Sequence, residues 1–302
     1  MRSKDVLNAR GDVRKMASIV VPMLVRNGLR TRTLTRVPPA PDTGSPYRGA
    51  DTIQVTASTT MTSRIQRAGA TVRRPAECWT PAVHGLLRHL QAAGFSAPRP
   101  LGTEGDQEIL TWIDGESGPA GWAKIVPENG LCRWAAFLRR YHDAVADYRP
   151  PAGSTWSSGP GTCAPGEIIC HCDFGPWNGV WHGERIAGLI DFDHARPAPP
   201  IFDIAYALEY AAPFRDDFEC LRWLRYPQPP DRRRRIEIFC DAYGIAVPPD
   251  IASHVAWQQR LVLQHCQALA SQGIGPQATW VCEGYVDTVR ARINWTESLE
   301  IP

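Results

Sequence analysis

The sequence predicts an α+β fold with two lobes, in which a small antiparallel sheet precedes a mostly helical region. Two patterns support this prediction: short strand-like runs crowd residues 52–74, and stripes of apolar residues at helical spacing dominate after residue 128. A chain of 302 residues, of which 43% are hydrophobic, is also long enough for two domains or for one domain with two lobes.

The first lobe is predicted over residues 49–113. It begins with three strand-like runs, TIQV, SRIQR and ATVRR, which are typical of an antiparallel meander. Thr80 followed by Pro81 is a helix-start signal and Gly94 is a stop signal, so one amphipathic helix is expected to pack on this sheet. A further strand, EILTWI at residues 108–113, completes the lobe.

The second lobe is predicted over residues 114–302. Residues 128–147 place apolar side chains on one stripe, which predicts a helix that faces the core. A loop rich in Gly, Ser and Pro then leads to a strand that begins EII and to a strand pair, NGVW and RIAGLID, around a turn at Gly183. From Ile201 onward the pattern indicates several helices with proline-rich joints.

Residues 1–48 differ in composition from the rest of the chain. They contain ten Lys and Arg against three Asp and Glu, together with proline-rich breaks, so we expect a basic, disordered extension. Such an arm could touch nucleic acid, and so could the basic run at residues 232–235. A charge run that opens a helix is more often its solvated face, and nucleic acid is therefore not an expected partner.

Cysteine usage and hydropathy indicate the compartment. No run approaches the roughly 18 apolar residues of a membrane span, so no membrane is expected as a partner. The nine cysteines are scattered without a C-x-x-C pair, which favours neither a disulfide framework nor a zinc site and predicts a reduced, cytoplasmic setting. Cys170 and Cys172 flank His171, but this spacing is not that of a metal site.

The stretch CHCDFGPWNGVW, residues 170–181, concentrates groups that are poorly suited to packing. Asn178 and Asp191 lie about equally far from the turn at Gly183, so a hairpin brings their oxygens together at its open end. Two oxygen ligands with room for water and phosphate suit Mg²⁺ carried with a nucleotide. Asp173 lies just upstream, where a carboxylate can take a proton from a hydroxyl during phosphoryl transfer. Taken singly, each of these residues is more often a turn or cap residue.

Together, His171, Asp173, Asn178 and Asp191 match the pattern H-x-D-x-x-x-x-N followed, across a hairpin, by a strand-ending Asp. With TVRRP, LTWIDGE, LRRYHDAV, GLIDFDHARP and FDIAYAL in order over about residues 52–290, the sequence resembles the aminoglycoside phosphotransferase family, small-molecule kinases related in fold to protein kinases and choline kinases. The resemblance implies a protein-kinase-like two-lobed fold with a nucleotide-binding first lobe and a helical lobe for the acceptor.

By this resemblance, Asp173 is the catalytic base and His171 braces its loop, while Asn178 and Asp191 are the Mg²⁺ ligands. Asp203, in FDIAYAL, resembles the buried acid that ties down the catalytic-loop backbone; the alternative is an ordinary helix N-cap.

The nucleotide side departs from the family. The family's strand lysine is replaced by arginine, and the register favours Arg73 over Arg74. Leu110 and Trp112 lie in the implied hinge and are expected to contact ATP or GTP. Where the family has a glutamate on the next helix, the chain has His84, and the loop TASTTMT contains no glycine that would let its backbone approach a phosphate closely.

The resulting prediction is a Mg²⁺-dependent phosphotransferase that moves the γ-phosphate of ATP or GTP to a hydroxyl of a small molecule. The alternative is a non-catalytic nucleotide-binding relative, which the departures on the nucleotide side favour. An acidic cleft would concentrate cations, so an aminoglycoside-like or other amine-bearing acceptor is expected from five acids in the region implied for the acceptor. These acids are Asp193, Glu209, Asp216, Asp217 and Glu219.

Overall fold

The computed structural model describes residues 65–222, 224–273 and 276–300. The predicted basic extension, the strand TIQV and the glycine-free loop after it lie outside the described residues. Within the described ranges, no helix has the length and apolarity needed to cross a membrane.

From residue 65 onward, the first lobe is a four-stranded antiparallel sheet in the order β1-β2-β4-β3. Its strands are β1 (Gln66–Ala68), β2 (Thr71–Pro75), β3 (Pro100–Glu104) and β4 (Gln107–Thr111). The helix predicted from the Thr80-Pro81 signal is present as α1 (Thr80–Ala92). It stops before Gly94, whose φ of +71° ends the helix in the left-handed conformation that glycine adopts without strain.

The second lobe consists mainly of helices. The predicted apolar stripe lies on α3 (Glu128–Val145), where Leu131, Trp134, Leu138 and Tyr141 are fully buried. The other helices are α2 (Ala120–Lys124), α4 (Ile201–Ala211), α5 (Asp217–Arg222), α6 (Arg232–Tyr243), α7 (Ile251–Ser271), α8 (Gln277–Cys282) and α9 (Tyr285–Glu297). Helix α3 packs mainly on α6, while α7 packs on α4, α8 and α9.

Short strand pairs position residues 170–181 between these helices. The strands are β5 (Thr155–Trp156), β6 (Gly159–Pro160), β7 (Ile168–Cys170), β8 (Gly179–His182), β9 (Arg185–Leu189) and β10 (Arg196–Ala198). The predicted hairpin is β8–β9, whose two-residue turn has Gly183 at a φ of +59°. Strand β7 pairs with β10, so the segments before and after the hairpin are held side by side.

One hydrophobic cluster extends through both lobes. It includes Leu86 and Leu90 of α1, Trp134 of α3 and Phe202 of α4, all nearly inaccessible to solvent. The ring of Phe95, just after α1, stacks on Phe137 of α3 with ring centres 5.0 Å apart. Apolar packing therefore holds α1 in a defined position relative to α3 and α4.

The basic run at residues 232–235 begins α6 and is only partly the solvated face that was predicted. Arg235 is buried, and its guanidinium donates hydrogen bonds to the carbonyl oxygens of Ile125 and Val126. Arg232 is likewise bonded to backbone carbonyls of the loop before α5. Because these cations satisfy carbonyl groups inside the protein, two of the four arginines have a structural role.

Candidate active site

The segment between β7 and β8 is anchored by Asp203. The Asp203 carboxylate is fully buried and accepts hydrogen bonds from the backbone N–H groups of His171 at 2.7 Å and Cys172 at 2.8 Å. Burial alone would raise the pKa of this carboxyl, but hydrogen bonding and charge from His142 hold the pKa below its ordinary value. Asp203 therefore anchors the loop as an anion, and the N-cap interpretation is wrong because α4 has already begun at Ile201.

We expect Asp203→Asn to destabilise the protein strongly. One backbone N–H would then face the new amide NH₂, which is a donor, where it now faces an acceptor oxygen. This loss costs on the order of 3 kcal/mol of the free energy of unfolding. For a protein of this size it corresponds to a fall in Tm of roughly 6–12 °C. Calorimetry checks this against Asp241→Asn, a change at an exposed residue of α6. Similar Tm values for the two variants would contradict the anchoring role.

The ligand atoms of His142, Cys170 and Asp203 lie within 4.8 Å of one another but do not form a metal site. Burial raises the pKa of the Cys170 thiol well above its ordinary value, so the sulfur keeps its proton. That thiol donates to the Ala198 carbonyl, and Asp203 is used by the loop backbone.

The Asp173 carboxylate is held from two sides at the base of a cleft. Its Oδ2 accepts a hydrogen bond from Asn178 Nδ2 at 2.8 Å, and its Oδ1 accepts one from the Tyr206 hydroxyl at 2.5 Å. Burial raises the pKa of Tyr206 well above 10, so this hydroxyl remains a donor at physiological pH. Tyr206 was not predicted from the sequence, although it lies one helical turn after Asp203 and so faces the same loop.

His171 positions this loop and does not reach the cleft. Its Nε2 lies 3.1 Å from the Ile190 carbonyl oxygen, and its Nδ1 lies 3.3 Å from the backbone nitrogen of Asp173. Burial lowers the pKa of His171, so the ring is neutral, and these partners assign the proton to Nε2. The imidazole links the loop between β7 and β8 to the residue that follows β9.

Asn178 and Asp191 lie on the same cleft as Asp173. The Ile190 N–H donates to the Asn178 carbonyl at 2.9 Å, so the hairpin register brings the following residue, Asp191, to the open end. Asp191 has a φ of 66°, a left-handed conformation that is strained for most residues other than glycine but tolerated by Asp and Asn.

The amide of Asn178 fits a metal ligand. Its Nδ2 is used by Asp173, while its Oδ1 is buried and has no hydrogen-bond partner among the described residues. An unsatisfied buried oxygen is costly, and amide and carboxylate oxygens are ligands that Mg²⁺ accepts. The oxygens of Asn178 and Asp191 are therefore a suitable donor pair for this ion.

The predicted register of the strand arginines is wrong. Arg74, not Arg73, reaches the acids beside the cleft, and its guanidinium donates to Asp193 through two nitrogens at 2.7 and 3.1 Å. A second Arg74 contact joins Nη1 to Asp191 Oδ1 at 3.8 Å. Arg73 points to the outer face and pairs with Glu104 at 2.7 Å. Adjacent strand residues face opposite sides, so a one-residue error in register exchanges the two.

The carboxylate partner of Arg74 comes from a strand. Glu108 of β4 is paired with Arg74 in the sheet register; its Oε1 accepts from Arg74 Nε at 2.5 Å, and its Oε2 lies 2.8 Å from His84 Nε2. Burial alone would lower the pKa of Arg74, but Asp193, Glu108 and Asp191 raise it, so Arg74 stays charged. His84 thus has an acidic partner, which the sequence pattern did not show.

Leu110 and Trp112 do not line the cleft around Asp173. Leu110 is buried in β4, and Trp112 follows that strand with its ring covered by the Arg67 guanidinium at 4.3 Å. Their contact with a nucleotide remains a prediction.

Three of the five acids predicted to make the acceptor region negative are buried or half-buried and paired with arginines, while Asp216 and Asp217 are exposed. Glu209 and Glu219 are buried and pair with Arg215 at 2.8 and 3.6 Å. Both also face Arg292, at 4.0 and 3.0 Å, and Asp193 is bonded to Arg74. The charges of Asp193, Glu209 and Glu219 are therefore compensated inside the protein.

Comparisons with known proteins identify the family of this chain. A sequence model of the phosphotransferase enzyme family matches residues 156–238, which include the loop between β7 and β8, the hairpin and α4. The trifolitoxin immunity protein of Rhizobium leguminosarum bv. trifolii is 34% identical over 189 residues, covering 60% of this chain and 70% of that protein. The chain belongs to this phosphotransferase family.

Similar solved structures identify the fold of this chain. A choline/ethanolamine kinase family protein of Mesorhizobium loti matches with a TM-score of 0.52 and 16% identity, covering 78% of this chain and 85% of that chain. An aminoglycoside phosphotransferase of Streptomyces rimosus in complex with ADP and streptomycin gives a TM-score of 0.42 and 17% identity, covering 62% and 85%. The predicted protein-kinase-like two-lobed fold is confirmed.

Proposed function

We propose that this protein is a Mg²⁺-dependent phosphotransferase that moves the γ-phosphate of ATP or GTP to a hydroxyl of a small molecule. The observation that carries this proposal is the convergence of Asp173, Asn178 and Asp191 on one cleft, with a buried Asn178 oxygen that has no partner among the described residues. Membership of a phosphotransferase family supports the same reaction class. Residues 49–113 are proposed to bind the nucleotide and residues 114–302 to carry the catalytic groups and the acceptor site.

In the proposed reaction Asp173 orients the acceptor hydroxyl and takes its proton. As that hydroxyl oxygen bonds to the γ-phosphorus, the bond from phosphorus to the β,γ-bridging oxygen breaks and the nucleoside diphosphate leaves. Tyr206 and Asn178 hold the Asp173 carboxylate so that little reorganisation is needed when the proton moves.

Asn178 Oδ1 and the Asp191 carboxylate would hold the Mg²⁺. When bound, that ion supplies positive charge that neutralises the phosphate oxygens during transfer. Arg74 lies beside Asp191 and is fully charged, and its planar guanidinium suits phosphate recognition. Glu108 and His84 position Arg74 from the sheet and from α1, which supports an active site in which the family's lysine–glutamate pair is replaced by another ion pair.

We expect Asp191→Asn to reduce phosphate transfer by about 100-fold or more, because a charged metal ligand is lost while the strained backbone is still tolerated. The Tm of the nucleotide-free protein should change little. A coupled assay over a Mg²⁺ titration checks this, with Asp143→Asn, an exposed acid on α3, as the control. A large fall in Tm with transfer unchanged would favour a structural role for Asp191.

The same assay tests the non-catalytic alternative. Binding of Mg·ATP or Mg·GTP together with turnover supports the enzyme, whereas binding with no turnover for any acceptor supports a nucleotide-binding relative. An amine-bearing acceptor remains a prediction, to which the paired carboxylates of Glu209 and Glu219 contribute no free charge.

The biological setting is proposed from a relative and from the cysteines. Because the relative is a trifolitoxin immunity protein, we propose that phosphorylation by this chain protects a cell against a toxic compound that bears a hydroxyl. All nine cysteines are free thiols, which fits the reduced cytoplasm proposed for the reaction. Survival of a sensitive strain that expresses the wild type but not Asp173→Asn would support the protective role.

A further inference from the structure

The cleft around Asp173 contains buried polar atoms for which the described residues offer no partner. Besides Asn178 Oδ1, these are Oε1 of Gln277, Nε1 of Trp280 and Nε2 of His265, and all of these residues line the cleft. Gln277 is 5% exposed and Trp280 is 9% exposed, so bulk water does not satisfy them freely. Buried groups in native proteins are nearly always hydrogen-bonded, which points to a ligand with several polar groups.

Arg196 lines the same cleft and differs from the other arginines near it. Its guanidinium carbon lies 4.7 Å from the centre of the Phe202 ring, which holds the half-buried side chain in place. No carboxylate of the described residues pairs with it, whereas Arg74, Arg215 and Arg292 each contact at least two acids. A half-buried cation without an internal counter-ion is suited to an anionic ligand.

His265 adds a neutral group beside this cation. Burial and the nearby charge of Arg196 lower the pKa of His265, so its imidazole is neutral and can donate one hydrogen bond and accept another. The cleft also contains two carboxylates: Asp173 is proposed to take the hydroxyl proton, and Asp191 is proposed to bind the metal. The remaining polar wall therefore combines one cation with neutral donors and acceptors.

We propose that the acceptor carries a carboxylate in addition to its hydroxyl, and that Arg196 binds this carboxylate. The proposal rests on the phosphotransferase function and names its substrate class. A guanidinium matches a carboxylate through two parallel hydrogen bonds, while Gln277, Trp280 and His265 bond the other polar groups of the acceptor. Free hydroxy amino acids and the C-terminus of a short hydroxyl-bearing peptide share this chemistry.

The test compares acids with their amides on the full chain, without nucleotide. Isothermal titration uses L-serine, L-homoserine and glycyl-L-serine, each beside its C-terminal amide. We expect at least one acid to bind, with its amide weaker by about tenfold or more, because the amide cannot form the charged pair. If a free amino acid binds more tightly than the dipeptide, the carboxylate belongs to a free hydroxy amino acid. If the dipeptide binds more tightly, it belongs to the C-terminus of a peptide.

Arg196→Gln should weaken binding of the preferred acid by about tenfold and leave its amide unchanged. Arg196→Lys keeps the charge without the planar fork, so its affinity for the acid should lie between those of wild type and Arg196→Gln. Arg233→Gln, at an arginine whose side chain is 68% exposed on α6, is the matched control and should change neither ligand. In the transfer assay the loss should appear in KM for the acid, with the nucleotide KM unaltered.

The proposal is overturned if no acid of the panel binds better than its amide, or if Arg196→Gln binds the acid as wild type does. It is also overturned if wild type phosphorylates the C-terminal amides, or amines that carry no carboxylate, in preference to the acids. The phosphotransferase function would then stand. Conversely, acid binding that depends on Arg196 without any phosphate transfer would support the ligand class and contradict the enzyme. If Arg196→Gln does not fold, Arg196→Lys and the wild-type comparison of acid with amide decide the question.

Discussion

Asp173→Asn is expected to lower phosphate transfer by about 100- to 10,000-fold, the range for removal of a general base. The substitution keeps the size of the side chain and an oxygen that can accept from Tyr206 or Asn178, but it removes the group that takes the hydroxyl proton. Nucleotide affinity should remain within about threefold of wild type, because Asp173 is proposed to contact the acceptor and not the nucleotide.

Single-turnover transfer and equilibrium binding of Mg·ATP separate these two effects. Asp241→Asn, an exposed change on α6, controls for the loss of one negative charge. If Asp173→Asn kept more than a tenth of wild-type turnover at saturating acceptor, Asp173 would not be the base. If nucleotide affinity fell in parallel with turnover, the loop itself would have been disturbed.

The neighbouring arginines of β2 should respond to substitution in very different ways. Arg74→Ala leaves Glu108, which is 2% exposed, without its strongest partner, and breaking such a buried pair costs about 3–5 kcal/mol. Arg73→Ala removes an exposed pair with Glu104, which is worth about 0–1 kcal/mol. The two positions offer a matched comparison, because each arginine pairs with a glutamate from another strand of the same sheet.

Nucleotide kinetics should show the same contrast. Arg74→Ala is expected to raise the nucleotide KM by about tenfold or more, while Arg73→Ala leaves it unchanged. Arg74→Lys retains the charge but loses the fork that reaches Glu108 and Asp193 together, so it should recover stability in part and keep the protein measurable. Equal effects at the two positions on stability and on KM would refute the assignment of Arg74 to the cleft.

The sequence alone was sufficient for features that depend on neighbours in the chain. The start and stop of α1 follow from Thr80-Pro81 and Gly94, and the β8–β9 hairpin follows from its two-residue turn at Gly183. That hairpin in turn brings Asn178 near Asp191, because residues equally far from a tight turn are paired. These signals are local, and conformational preference over a few residues determines them.

The tertiary structure decided which side chains meet across the fold. Arg74 bonds to Glu108, 34 residues away, and to Asp193, 119 residues away, so no local pattern could choose it over Arg73. Tyr206 meets Asp173 only because Asp203 docks α4 on the catalytic loop, and Glu209 and Glu219 are neutralised by Arg215 and Arg292 in the packed interior. Strand pairing and helix packing set the face that each residue presents, and the energy of a buried charge depends on partners that only the folded chain brings within reach.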